Sequence, residues 1–150
     1  MKIENPTVTI IIPTKNNEQT IDACIQSILH LDYPRDKLQV IVVDAFSRDF
    51  THQILSKYPI KVIKKHCNAP TAYNLALKYA TGEIIGFVDG DAKVAKDWLK
   101  SLVNHLCDSH VAGAGGMLLT WNEDKLISRC IGYELTDRYE KMPKSITRIC

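Results

Sequence analysis

Short apolar runs along this chain alternate with stretches whose apolar residues recur every three or four positions. Val8 to Ile12 is an unbroken β-branched run closed by Pro13, the pattern of a strand buried on both faces. Ile21, Cys24, Ile25, Ile28 and Leu29 then fall on one face at helical spacing, with Asn16 or Asn17 as the predicted cap and Asp32-Tyr33-Pro34 as the stop. Leu38 to Val43 predicts a second buried strand ending at Asp44. Thr51 to Tyr58 predicts a short helix, and Ile60 to Ile63 a third strand. Pro70 suits a helix start, Ala72, Leu75, Ala76 and Tyr79 its apolar face, and Gly82 its C-terminal cap. Ile84 to Val88 predicts a fourth strand. Ala95 to Leu106 predicts a helix turning Trp98, Leu99, Leu102, Val103 and Leu106 inward. A fifth strand is expected within Val111 to Thr120, and a last helix over Glu123 to about Tyr139 with Leu126, Ile127, Cys130, Ile131 and Leu135 inward.

Strands alternating with amphipathic helices specify an α/β fold, a mainly parallel Rossmann-like sheet flanked by helices. In such sheets ligands bind beyond the carboxyl ends of the strands. The residues to inspect are therefore Pro13-Thr14-Lys15-Asn16-Asn17, Asp44-Ala45-Phe46-Ser47-Arg48-Asp49 and Asp89-Gly90-Asp91. Two of these three segments begin with Asp.

Composition narrows the function. The 150 residues are 45% hydrophobic and 24% charged, with 19 basic against 17 acidic side chains, which gives no footprint for nucleic acid. Lys64-Lys65-His66 is the densest positive spot and suits a solvated strand end. The five cysteines, Cys24, Cys67, Cys107, Cys130 and Cys150, are widely spaced without a C-x-x-C pair. That pattern argues against a disulfide framework or a zinc site and for a reducing compartment. The five histidines are equally scattered. The N-terminus does not read as a signal peptide, and no stretch approaches the roughly 20 apolar residues of a membrane span.

Asp89-Gly90-Asp91 carries the most chemistry. Two carboxylates one residue apart at a strand end can meet a hard divalent cation directly or through water, with substrate phosphates completing the shell. Gly90 lets the chain turn and a ligand approach closely. Asp-Gly is also common in plain turns. Asp44 can accept hydrogen bonds from a nucleobase edge or ribose hydroxyl, or cap the segment after it, and Asp49 suits a cap of the next helix.

Three segments in order, "VTIIIPTKNNEQTIDACIQSIL", "VIVVDAFSRD" and "APTAYNLALKYATGEIIGFVDGDAKVAKDWL", resemble the signatures of family 2 inverting glycosyltransferases over about Val8 to Leu106. The resemblance implies a GT-A fold incomplete at its C-terminus, with residues 1–120 as the nucleotide-sugar-binding core. Residues 121–150 would be a helix and tail that begin an acceptor-side region. It implies a nucleotide-diphospho-sugar donor (a UDP- or GDP-sugar), Mn²⁺ or Mg²⁺, and an acceptor that is a glycan, lipid phosphate or protein. It gives Pro13 and Thr14 to the base pocket, Asp44 to the base, Asp89 to the ribose or the metal's water shell, and Asp91 to the metal. A cytoplasmic location is expected, with any membrane association through parts outside this chain.

The chain departs from the family pattern at Asp44-Ala45-Phe46-Ser47, where members usually have Asp-Asp-Gly-Ser, and at Tyr73, where many have Arg before the Asn. Glu123, Asp124 and Glu134 are the only local acidic candidates for a base and stand in a different context, so the base is expected past Cys150. The alternatives are a catalytically inactive nucleotide-binding module and a sugar-phosphate nucleotidyltransferase. The latter carries a Gly- and Arg-rich loop after the first strand, which Pro13 to Asn17 lacks. A dehalogenase-type phosphatase places its D-x-D after the first strand rather than the fourth.

Overall fold

The computed structural model describes residues 5–108, 110–120 and 126–142. The chain divides into two compact units, Met1–Ala114 and Gly115–Cys150. In the first unit four parallel strands, β1 (Val8–Thr14), β2 (Leu38–Asp44), β3 (Lys61–Lys64) and β4 (Ile84–Phe87), lie in the order β3-β2-β1-β4. Helices α1 (Ile21–Leu29), α2 (Thr51–Leu55) and α3 (Ala69–Leu77) connect them, and α4 (Trp98–Leu106) follows β4. The expected α/β class with a parallel sheet is what the structure has.

The period of two along each strand sorts the core into two layers. Val8, Ile10 and Ile12 of β1, with Val40 and Val42 of β2, pack against Ile21, Cys24, Ile25 and Ile28 of α1, Leu55 of α2, and Leu99 and Val103 of α4. Ile11, Ile41 and Val43 point the other way and meet Ala72 and Ala76 of α3. Val8, Ile10, Ile11 and Ile12 are each 0% exposed, so the β-branched run is buried on both faces as its composition requires. Small residues on α3 let that helix lie close to the sheet.

Register then fixes the site. From β1 the chain winds outward through β2 to β3, with α1 and α2 on one face. It returns over the opposite face through α3 to place β4 on the free edge of β1. The winding reverses between β1 and β4, and at such a reversal the strand ends diverge into a crevice.

Several expectations are corrected. Neither Asn16 nor Asn17 caps α1 by its side chain. Thr20 holds the N-cap position without a side-chain bond to the helix amides, and the Asn17 carbonyl accepts from the amides of Thr20 and Ile21 at 3.0 and 2.8 Å. Gly82 does not cap α3, which ends at Leu77. It sits where the chain crosses β1, and a Cβ there would lie 2.4 Å from the Thr9 nitrogen and 2.7 Å from the Val8 carbonyl carbon. Tyr79 lies beyond the helix and receives the Lys61 ammonium 3.8 Å from its ring centroid. Residues 111–120 form no strand; the three glycines at 113, 115 and 116 leave the stretch without the side chains that hold a strand in a sheet.

In the second unit α5 spans Leu126–Lys141. Leu126, Cys130 and Ile131, expected inward, are exposed. Glu123 and Asp124 lie outside the described residues. Glu134 pairs with Arg138 at 2.9 Å as an exposed i,i+4 pair. Among the described residues no helix is long and apolar enough to cross a membrane.

The close crossing at Gly82 makes a sharp prediction. Gly82→Ala should destabilise the protein by about 1–3 kcal/mol or more, because backbone rather than a movable side-chain tip occupies the space. Gly113→Ala, where a Cβ meets nothing within 4 Å, should leave the urea midpoint unchanged. Equal midpoints for both variants would show that β1 tolerates displacement.

Candidate functional site

A cavity of about 540 Å³ opens at the crevice between β1 and β4. Pro13, Thr14, Lys15 and Asn17 line it from β1 and its loop, Val43 and Ala45 from β2, and Cys67, Asn68, Ala69 and Ala72 from the start of α3. Asp89, Gly90 and Asp91 close the far side. Four of the five residues singled out in the sequence, Pro13, Thr14, Asp89 and Asp91, are thus brought together.

Gly90 is the seam of this arrangement. It is buried, and a Cβ on it would stand 2.8 Å from Thr14 Oγ1 and 3.3 Å from the Pro13 carbonyl oxygen. Only hydrogen fits where the Asp-Gly-Asp turn presses on the end of β1. The turn is tied down from behind: the Thr20 hydroxyl donates to the Gly90 carbonyl at 3.2 Å, and the Cys24 thiol to the Asp89 carbonyl at 3.5 Å. Burial, and then the negative charges of Asp91 and Asp89, push the Cys24 thiol up to about 12, so it stays protonated and serves as an inert donor. The flanking carboxylates project outward and both are exposed.

Tyr73, where the family pattern has Arg, crosses Phe87 edge-on at 5.0 Å, and its hydroxyl lies 3.5 Å from Asp89 Oδ1. Burial, followed by the Asp89 charge and hydrogen bond, raises the Tyr73 phenol above its ordinary value. The substitution therefore keeps a donor beside Asp89 while removing the charge.

Asp44 occupies a different place. It is 0% exposed and lies outside the cavity lining. Its Oδ1 accepts from the Ser47 amide at 2.8 Å and the Ser47 hydroxyl at 2.6 Å. Its Oδ2 faces His52 Nδ1 at 3.4 Å, without the alignment of a hydrogen bond, and both atoms are buried and otherwise unpartnered. Ser47 Oγ in turn accepts from the Asn16 amide at 2.9 Å, and Asn16 Oδ1 accepts from the Arg48 amide at 2.9 Å.

The same exchange repeats one residue on. The Asn17 amide donates to the Thr51 hydroxyl at 2.8 Å, the Glu18 amide to Asp49 at 3.1 Å, and the Phe50 amide to Glu18 at 3.0 Å. Side chains of each loop satisfy the backbone of the other, so the loops after β1 and β2 form one rigid wall. Sequence reading did not foresee that Ser47, Thr51 and Glu18 tie the two loops together. Their signal was present only as short polar residues near strand ends, where such side chains favour bonds to nearby backbone.

Asp49 is predicted to carry part of this wall. Burial pushes its carboxyl up, but the Thr51 hydroxyl and the amides of Thr51 and Glu18 outweigh it and hold the group below its ordinary value of 3.8. A lowered folded value contributes stability above 3.8 that is lost as pH falls through the folded value. Phe50, not Asp49, holds the N-cap position of α2, and Asp49→Ala should cost about 1 kcal/mol at neutral pH through the lost bonds to the Glu18 and Thr51 amides. The gap to wild type should close as pH drops beneath 3.8, followed by denaturation midpoints across an acid series. A gap independent of pH would assign the loss to packing rather than charge.

The mannosyltransferase PcManGT of Pyrobaculum calidifontis, solved in complex with GDP-Man and Mn²⁺, superposes with a TM-score of 0.66 at 36% identity, covering 73% of this chain and 34% of that one. Staphylococcus aureus TarS, a poly(ribitol-phosphate) β-N-acetylglucosaminyltransferase, is 35% identical over 109 residues, 68% of this chain and 19% of its own. Its residues 1–349, solved with UDP-GlcNAc, superpose with a TM-score of 0.62 at 31% identity, covering 77% of this chain and 38% of that one. An N-acetylglucosaminyltransferase of Bradyrhizobium elkanii is 32% identical over 129 residues, 80% of this chain and 70% of its own. The chain thus spans about a fifth of curated TarS and a third of the solved mannosyltransferase. These neighbours have the GT-A fold, which the four-stranded parallel sheet shares in part. The model of glycosyl transferase family 2 matches residues 9–140, and with the sheet reversal and the Asp-Gly-Asp turn in place, the chain belongs to that family.

Proposed function

We propose that this chain forms the donor-binding part of a metal-dependent, inverting glycosyltransferase that uses a UDP- or GDP-sugar. The observation that carries this reading is the meeting of Pro13 and Thr14 with Asp89 and Asp91 around one cavity at the reversal between β1 and β4. Relatives solved with GDP-Man and with UDP-GlcNAc support the donor class.

The donor set at the turn suits Mn²⁺ or Mg²⁺. Both ligating side chains are carboxylates, hard donors that face the cavity. Among the described residues no group of three or more His, Cys, Asp or Glu could hold an ion unaided. A cation held by Asp91, with Asp89 beside it, would take its remaining ligands from the donor's diphosphate and water, as Mg²⁺ sites commonly do. Bound there, the ion stabilises the negative charge that develops on the departing diphosphate.

The chain's own groups do the rest of the positioning. Pro13 and the end of β1 give the base a flat apolar edge, and Asn68 lines the cavity at the start of α3. Because Asn68 Oδ1 accepts the Thr71 amide at 3.0 Å, its side-chain NH₂ is the group left to donate, which favours a carbonyl on the base. Asp44 acts from beneath, holding Ser47 and through it the loop that carries Lys15 and Asn16. Inversion needs a base on the opposite face of the sugar to take the acceptor's proton. Glu134 makes a poor candidate, because it is engaged with Arg138 on the surface of α5.

Calorimetry with UDP and GDP in Mn²⁺, and again in EDTA, tests the reading. Affinity should depend on the metal, and equal affinity in both buffers would remove the metal role. Asp91→Ala should abolish the metal-linked part of binding. It should change stability by less than ~1 kcal/mol, since an exposed carboxylate contributes little to the core. A variant that keeps full metal-dependent affinity would show that Asp91 is not the ligand.

A further inference from the structure

A second recess of about 330 Å³ adjoins the nucleotide cavity, sharing Lys15 and Ala45 with it, and is lined further by Asn16, Phe46, Arg48 and His66. Its charged lining is entirely basic. Lys64 approaches from the side with its ammonium 5.3 Å from the Phe46 ring centroid, and Lys65 adjoins it in sequence. None of the ion pairs among the described residues involves Lys15, Arg48, Lys64 or Lys65. The nearby carboxylates of Asp44, Asp49 and Glu18 are turned inward and bonded to amides of Ser47, Thr51, Glu18 and Phe50. Lys15, Arg48 and His66 therefore line the recess together.

The wall of the recess is held at a cost. Phe46 has φ 58°, a left-handed backbone that a bulky L-residue adopts only under strain of order 1 kcal/mol or more. Glycine, usual in the family at this position, would be relaxed there. Phe46 instead lays its ring flat on His66, with centroids 3.8 Å apart and planes at 6°. That stack fixes the His66 ring and the loop carrying Arg48 around the opening. A strained aromatic that orients basic groups around a recess marks a built feature rather than a solvated strand end.

We propose that this recess is a second anion site, which binds a phosphate group carried by a molecule other than the sugar nucleotide. This inference rests on the donor reading above, which puts the donor's diphosphate at the Asp89–Asp91 end of the neighbouring cavity and leaves this recess for another ligand. Arg48 supplies a planar fork suited to phosphate oxygens, Lys15 a point charge shared with the nucleotide side, and His66 a ring N–H. The phosphate of a soluble ester and that of a lipid headgroup present the same oxygens, and the experiment separates them.

The test uses the full chain in EDTA, so that metal-linked binding at the nucleotide cavity is suppressed. Titration with inorganic phosphate should move the backbone amides of Asn16 and of Phe46 to Arg48 saturably in ¹⁵N-correlated NMR spectra. The double variant Arg48→Gln, His66→Gln should weaken this at least about tenfold, the loss expected when charged hydrogen bonds are removed. UDP or GDP affinity in Mn²⁺, measured separately, should stay unchanged in that variant, since neither residue lines the nucleotide cavity. Failure of the second site is thereby distinguished from failure of the donor reading. Co-sedimentation with phosphatidylcholine vesicles, with and without phosphatidate, supplies the other arm. Capture only by phosphatidate vesicles, lost in the double variant, assigns a lipid-borne phosphate; a response to free phosphate without capture assigns a soluble one. Absence of both responses, responses unaltered by the double variant, or displacement of phosphate by UDP without metal would overturn the proposal.

Discussion

Strand β1 has neighbours on both edges and helices on both faces, so every backbone and side-chain group from Val8 to Ile12 must be satisfied inside the protein. Thr9 shows how tightly this binds the rest. Its hydroxyl, fully buried, donates to Gln39 Oε1 at 2.7 Å and accepts the Gly82 amide at 2.9 Å. One polar atom in the central strand thereby joins β2 and the segment leading to β4. At Gly82 and Gly90 the chain passes so close to β1 that no side chain fits. The first sets where β4 begins and the second sets where its turn ends. The position of Asp89 and Asp91 is consequently a property of the central strand rather than of a flexible loop.

The loops that face this turn are made rigid by a different interaction, the exchange of side-chain acceptors for backbone donors. Asp44, Ser47, Asp49, Asn16 and Glu18 each accept an amide from the opposite loop or their own. Oxygens used this way are committed to the backbone, and Asp44 Oδ1 in this manner ties Ser47 to the end of β2. The basic side chains of the same loops have no such inward duty. The polarity of the outer rim thus follows from which groups the backbone consumed, and net charge, with 19 basic against 17 acidic residues, gives no hint of it.

Where the chain departs from its family, the structure gives the departures physical content. Tyr73 keeps a hydrogen-bond donor beside Asp89 while deleting a positive charge. Phe46 trades glycine's free backbone for a ring stacked on His66. Both changes border the cavity, one at its carboxylate end and one beside its β2 wall, and neither touches the core. Family membership and local chemistry can therefore vary independently, because the sheet is fixed by β1 and the rim by loops.

The sequence by itself determined the four strands of the sheet, the helices between them, their order and the polar strand ends. It could do so because burial on two faces demands an unbroken apolar run, burial on one face demands helical spacing, and a polar residue directly after a strand has nowhere to go but the sheet's edge. It did not determine which strands adjoin, since hydrogen-bond partners in a parallel sheet are chosen by crossovers of many residues and leave no local mark. Tertiary structure alone placed β4 against β1 and so put Asp89 and Asp91 opposite Pro13 and Thr14. It also decided that Gly82 is a crossing and not a cap, that Asn17 works through its carbonyl, and that residues 111–120 stay outside a strand. In each case the deciding fact is a contact between residues distant in the chain or the absence of side chains to make one, and propensity read along the sequence contains neither.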